Sequence, residues 1–267
     1  MTHSNAMIAT RAARQWRILM LLLVVCAHQT HADQSGRTRA APAAPQAAAA
    51  VFVDPLRLER AHARLARVSG SLRREVPLAE LLTAMLSPAD DGDRTTRPEQ
   101  HRAALVALAF YVNQWPIELI VQDARAWPRA TPRRVTLGGR RDHARHFIVS
   151  AAMAATVGSP LAEAVAIYKE LEDARRGSGF SFSDVAANRA GQRFGTLASV
   201  SATSAARLAA RLHAPLTDGD IMPDTAGLPD GLGDQEFTRR FGTIGSDVYT
   251  RMVGDIDERV SALGLYR

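Results

Sequence analysis

The sequence predicts an all-α fold: a compact multi-helix domain behind an N-terminal signal peptide and an Ala/Pro-rich tether. Three observations carry this expectation. Alanine is abundant, and β-branched residues do not cluster into alternating runs. Apolar residues recur three and four positions apart. Prolines and glycines stand at the ends of these periodic stretches, where helices start and stop.

The first 32 residues have the anatomy of an export signal. Arg11, Arg14 and Arg17 give a positive start. The apolar run Ile18 to Ala27 is too short to span a bilayer as a helix. Thr30-His31-Ala32 is a small-x-small cleavage sequence. Leu23-Val24-Val25-Cys26 resembles a lipobox, but Val25 occupies a position that normally holds a small residue. Ordinary cleavage after Ala32 is therefore expected, with lipid anchoring through Cys26 as the alternative. Cleavage there would leave a mature chain without cysteine, hence without a disulfide or a thiolate nucleophile. Residues 33–50 are Ala/Pro low-complexity sequence with little to bury, expected to be a disordered tether.

Residues 51–267 should form a single helical domain. Asp54-Pro55 reads as an N-cap followed by proline at the first helical position. In the helix that follows, Leu58, Ala61, Leu65 and Val68 share a face. A second helix is expected in "VPLAELLTAML" and a polar loop in "SPADDGDRTTRP". "PEQHRAALVALAFYVNQ" is apolar on most sides, so a central buried helix is expected. "PRATPRRVTLGGR" reads as a connection with at most a brief extended pairing at "RVTL". "DHARHFIVSAAMAATVG" is an alanine-rich helix stopped by Gly158. Ser159-Pro160 opens the next, "LAEAVAIYKELEDARR", which Gly177 ends. In "SGFSFSDVAANRAGQRFG", Ser181 and Asp184 have capping-box spacing. Gly191 and Gly195 lie four apart on that helix. Each glycine costs about 1 kcal/mol against alanine, so the pair implies close backbone contact. From Ser201 the chain reads as a short helix, a Pro/Gly-rich loop and a last amphipathic helix.

The composition, 46% hydrophobic and 22% charged, is that of a globular protein. The net charge is +6 and the calculated pI is about 10.3. All cationic residues but Lys169 are arginines. They are scattered, often beside carboxylates, and no basic stretch is interleaved with aromatics, so nucleic-acid binding is not expected.

The candidate chemistry lies in three consecutive helices. Asp142 and His146 are four apart, Glu170 and Asp173 three apart, and Asp184 and Asn188 four apart, each pair sharing a helix face. Convergent stripes would gather four carboxylates, an imidazole and an amide, a set costly to bury unless paired or metal-bound. Asp142, His146, Glu170, Asp173 and Asp184 are of a type that suits a divalent metal such as zinc, manganese or iron. Acid–base chemistry by His146 is a further option. Lys169, a compact ammonium with three donors, could bridge neighbouring carboxylates.

These residues also carry a family resemblance. "DHARHF", "YKELED" and "GSGFSFSD" resemble the pattern of the YfiM-like group of bacterial envelope lipoproteins and, more loosely, VanZ-like membrane proteins. The matching positions are Asp142, His146, Phe147, Lys169, Glu170, Asp173, Gly179, Ser181 and Asp184, within residues 138–195. The family has lysine after the first Asp, where this chain has His143. The resemblance implies an envelope location and a retained polar cluster. It implies no particular activity.

Simpler readings apply to each residue. Asp142 and Asp184 could be helix-capping acids. Lys169 and Asp173 could form a surface ion pair. His143 is expected to be exposed, and His146 to be a hydrogen-bonded core histidine. His146 and Ser150 are also four apart, but no oxyanion-hole or nucleophile-elbow signature accompanies them. Tyr111, Trp115 and Trp127 could line a groove for sugars or lipids, against the commoner role of core anchors. The leading expectation is an exported structural or interaction module with an internal polar network. The alternatives are a metal-assisted or acid–base hydrolase of envelope material, and a module binding lipid or peptidoglycan. No substrate signature or cofactor fingerprint accompanies any of them, and oligomeric state is left open.

Overall fold

The computed structural model describes residues 53–87, 94–157 and 179–267. The expected signal, the tether and the helix containing Lys169, Glu170 and Asp173 lie outside these residues. The described residues form an all-α domain with one small strand pair.

Helix α1 (Pro55–Ser71) starts as its sequence dictates. The Asp54 carboxylate accepts from the Leu56 amide at 3.0 Å, and Pro55 opens the first turn. Its buried face is Leu58, Ala61, Leu65 and Ser69, with Val68 at the margin. Strand β1 (Glu75–Pro77) follows and runs directly into helix α2 (Leu78–Leu86). Val76 and Pro77 therefore belong to a strand and not to the expected helix. Val76 faces the core and pairs in parallel with Val135 of strand β2 (Arg134–Thr136). The brief extended pairing at "RVTL" thus has a partner 59 positions earlier in the chain. Helix α2 has no side-chain cap from its preceding residue. Asp218 supplies one, accepting from Ala79 at 3.3 Å while its other oxygen accepts from Gly138 at 2.8 Å.

Helix α3 (Arg97–Val112) is the expected buried helix, enclosed on most sides. Helix α4 (Arg141–Thr156) packs against α5 (Phe182–Ser199), and this seam is the heart of the domain. Alanines on both helices let the backbones approach. At Gly191 a Cβ would stand 2.1 Å from the Phe147 carbonyl oxygen, and at Gly195 the same distance from that of Ala151. The stripe of small residues is therefore a backbone contact, as the spacing implies.

Helix α6 (Ala202–Arg211), the single turn α7 (Asp218–Ile221), α8 (Asp234–Phe241) and α9 (Asp247–Ala262) complete the described chain. Helix α8 lies within the stretch expected to be loop. Its Phe237 and Phe241 join Phe180, Phe182 and Tyr249 in an aromatic cluster, with Phe180 and Phe237 centroids 4.4 Å apart. That burial stabilises a short helix whose flanking Pro and Gly conceal it. The last helix packs inward through Tyr249, Val253, Ile256 and Val260. Beyond it the buried Tyr266 hydroxyl donates toward the carbonyls of Ile221 (2.8 Å) and Ala190 (3.2 Å).

Candidate functional site

The polar cluster is built on the α4–α5 seam. Ser181 is the N-cap of α5, its hydroxyl accepting from the Asp184 amide at 3.1 Å. This is the cap half of the expected capping box. The cap aims Ser183 and Asp184 at the first two turns of α4. There the His143 Nε2 sits 3.0 Å from Ser183 Oγ and 4.0 Å from Asp184 Oδ1. One turn on, His146 Nε2 is 3.3 Å from Asp184 Oδ2. Its Nδ1 is 3.3 Å from Asn188 Oδ1, which also accepts from Ser150 Oγ at 2.9 Å. Ser181 and Ser183 share a hydroxyl contact of 2.9 Å.

All of these side chains are buried, from His143 at 2% exposed to Asp184 at 9%. The Asn188 Nδ2, also buried, has no hydrogen-bond partner among the described residues. Burial is the main influence on His143, and it holds the imidazole below its usual pKa.

The cluster ends in a half-exposed ionic mouth. Arg140, just before α4, binds both Asp142 oxygens, Nε at 3.1 Å and Nη2 at 2.5 Å, and also pairs with Asp230. Asp230 in turn accepts from Ser183 Oγ at 3.3 Å. It reaches the site because its strap is tied to the start of α5. Phe180 and Leu232 exchange backbone hydrogen bonds, and Phe182 donates to the Pro229 carbonyl at 2.9 Å. Gly179 has φ +84 and admits Gly231 where a side chain would collide. Burial alone would raise the Asp142 carboxyl, but the Arg140 hydrogen bonds and charge outweigh it and bring the pKa to about 2. Asp230 is likewise lowered by Arg140 and the serine hydroxyls, against burial.

Four expected site residues, His146, Ser181, Asp184 and Asn188, therefore meet on the seam. Asp142 is drawn to Arg140 at the mouth. Lys169, Glu170 and Asp173 lie outside the described residues. One expectation is corrected: His143 is buried and central, not exposed. Its place four residues before Phe147, on the stripe that faces α5, was the available signal. Arg140, Ser183 and Asp230 were not singled out by the sequence. Asp230 stands far along the chain, where no helical spacing links it to the others.

A metal would find donors here. Ligand atoms of Asp142, His143 and Asp184 lie within 4.8 Å of one another. This set takes His143 where the sequence suggested His146. One carboxylate is already claimed, however, because the Arg140 guanidinium covers both Asp142 oxygens. A cation would have to displace it.

No known protein family, curated protein or solved structure matches this chain.

Proposed function

We propose that this chain is an exported cell-envelope protein, a structural or interaction module whose buried Asp–His–Ser–Asn network fixes α4 in register on α5. One observation carries the reading: the contacts of His143, His146 and Ser150 with Ser183, Asp184 and Asn188 all cross the α4–α5 seam. They run beside the glycine contacts on the same pair of helices. Alanine-rich surfaces slide easily, since their bumps are small and alike. Directional hydrogen bonds at successive turns specify a single register, and a largely satisfied buried network is rigid. The export signal and the resemblance of residues 138–195 to envelope lipoproteins support the location.

The test is denaturation of His146→Ala and Asn188→Ala. Each strands buried partners, at a cost of about 1–3 kcal/mol. Unchanged stability in both would remove the structural reading. Cell fractionation of the full chain and of a version lacking residues 33–50 tests the location.

A second reading, metal-assisted or acid–base hydrolysis of envelope material, is favoured by the Asp142–His143–Asp184 grouping. Those residues would hold a divalent ion, which would supply Lewis acidity. His143 would take the Ser183 proton in a metal-free version. Metal analysis of the purified protein, with melting in the presence and absence of a chelator, separates the two readings. Arg140→Ala sharpens the comparison, because freeing Asp142 should strengthen metal binding if the site is a metal centre.

A further inference from the structure

A groove of about 690 Å³ opens at the other side of α3, away from the polar network. Its walls are α1, the C-terminal end of α3 and the irregular segment 115–133. Tyr111, Trp115 and Trp127 line it, so three of the chain's few aromatic rings gather at one opening. All three are only partly buried.

The end of α3 is shaped to present one of these rings. Asn113 caps the helix, and Gln114 follows with φ +56. Gln114 N–H donates to the Tyr111 carbonyl (3.0 Å), and Trp115 N–H reaches back to the Phe110 carbonyl (2.9 Å). This is a Schellman motif, complete with its apolar contact: Trp115 meets Phe110 edge-on at 5.8 Å. Glycine normally fills the left-handed position. Here glutamine does, and its side chain stands exposed at the groove rim. The opposite wall is clamped. Tyr111 Oη donates to the Thr131 carbonyl (2.6 Å), Thr131 N–H to Ser69 Oγ (2.9 Å), and Arg133 Nε to the Ser69 carbonyl (2.9 Å). The groove is thus held open by fixed elements.

Its chemistry is mixed. Arg125, Arg129 and Arg133 line it against the single carboxylate of Glu118. Arg125 and Arg129 are exposed and make no ion pair among the described residues. Within the groove, His62 lies 5.4 Å from the Trp127 ring, and its buried Nδ1 has no hydrogen-bond partner. The three arginines in its lining favour an anionic ligand over a bare lipid tail.

From these features we infer that the groove binds a carboxylated sugar within a glycan chain. Pyranose rings offer apolar C–H faces to Trp115 and Trp127. Their hydroxyl edges suit Gln114 and Glu118. A carboxylate suits the unpaired guanidinium forks of Arg125 and Arg129. The volume is within the usual range for small-ligand sites. This inference stands apart from the α4–α5 network and shares no residue with it.

The experiment uses intrinsic fluorescence, since both tryptophans of the described residues line the groove. The purified full chain is titrated with a trigalacturonate and with the carboxyl-reduced, neutral trisaccharide. The expected result is a saturable emission change with the uronate and about tenfold weaker binding of the neutral sugar, the loss of one charge-assisted contact. Arg129→Glu, at an exposed site, should weaken uronate binding at least as much with Tm unchanged. Trp127→Phe should weaken both sugars. No saturable change with the uronate, equal binding of the two sugars, an unaffected Arg129→Glu, or tighter binding of a mononucleotide would each overturn the inference.

Discussion

Gly191 rests directly on the backbone carbonyl of Phe147, so close that a Cβ would stand 2.1 Å from its oxygen. No real methyl group tolerates that distance, and the obstacle is backbone. Gly191→Ala must therefore push α5 off α4. We predict a loss of about 3 kcal/mol for Gly191→Ala or Gly195→Ala, the upper end for overpacking. Gly254, inside α9 with nothing near its would-be Cβ, is the control. Gly254→Ala should gain about 1 kcal/mol from helix propensity alone. Urea denaturation of the three variants checks both signs.

Gln114 predicts a trade. A non-glycine residue in the left-handed region costs about 1 kcal/mol or more. Gln114→Gly should therefore raise stability by about 1 kcal/mol while leaving the Schellman hydrogen bonds intact. The same substitution should weaken uronate binding in the fluorescence titration.

His101 makes stability depend on pH. It is buried in α3 with Nδ1 2.8 Å from the Ala198 carbonyl, and burial lowers its pKa to about 4. The unfolded chain, with an ordinary value of 6.5, takes the proton first. Stability is thus full above pH 6.5 and falls as pH drops toward 4, by about 3 kcal/mol in total. His143 and His62, also lowered mainly by burial, add to the slope. His101→Gln should flatten the dependence measurably in denaturation curves taken across this window.

Arg140 holds two carboxylates together. Its removal in Arg140→Ala leaves Asp142 and Asp230 without their shared cation, and the Asp142 pKa should rise from about 2. Carboxyl NMR titration would show this directly. Because the mouth is half-exposed, the stability loss should be modest, about 1 kcal/mol.

Much of this architecture is legible in the sequence, for physical reasons. Asp54-Pro55 and Ser181-x-x-Asp184 are local signals, decided within one helical turn. The Gly191–Gly195 stripe announces a close contact because glycine inside a helix has a cost that something must offset. The burial of His143 is not legible, because an ionisable side chain near a helix start is usually solvated, whereas here a serine and an aspartate across the seam receive it. Asp230 and Arg140 meet only through tertiary structure, 90 positions apart. Helix α8 is set by its two phenylalanines finding an aromatic cluster, a gain that composition does not register.

The strand pair carries a temporal consequence. Val76 and Val135 meet in parallel across all of α2, α3 and the groove segment. Joining them closes a long loop whose entropy is lost before the few ladder bonds can compensate. We predict that the pairing forms late in folding, after the helices between have collapsed. Strand β2 follows directly on the groove wall at Arg133, so the groove's tryptophan emission should register the pairing. Refolding followed by that emission and by far-UV circular dichroism checks the order: the tryptophan signal should lag the helical one.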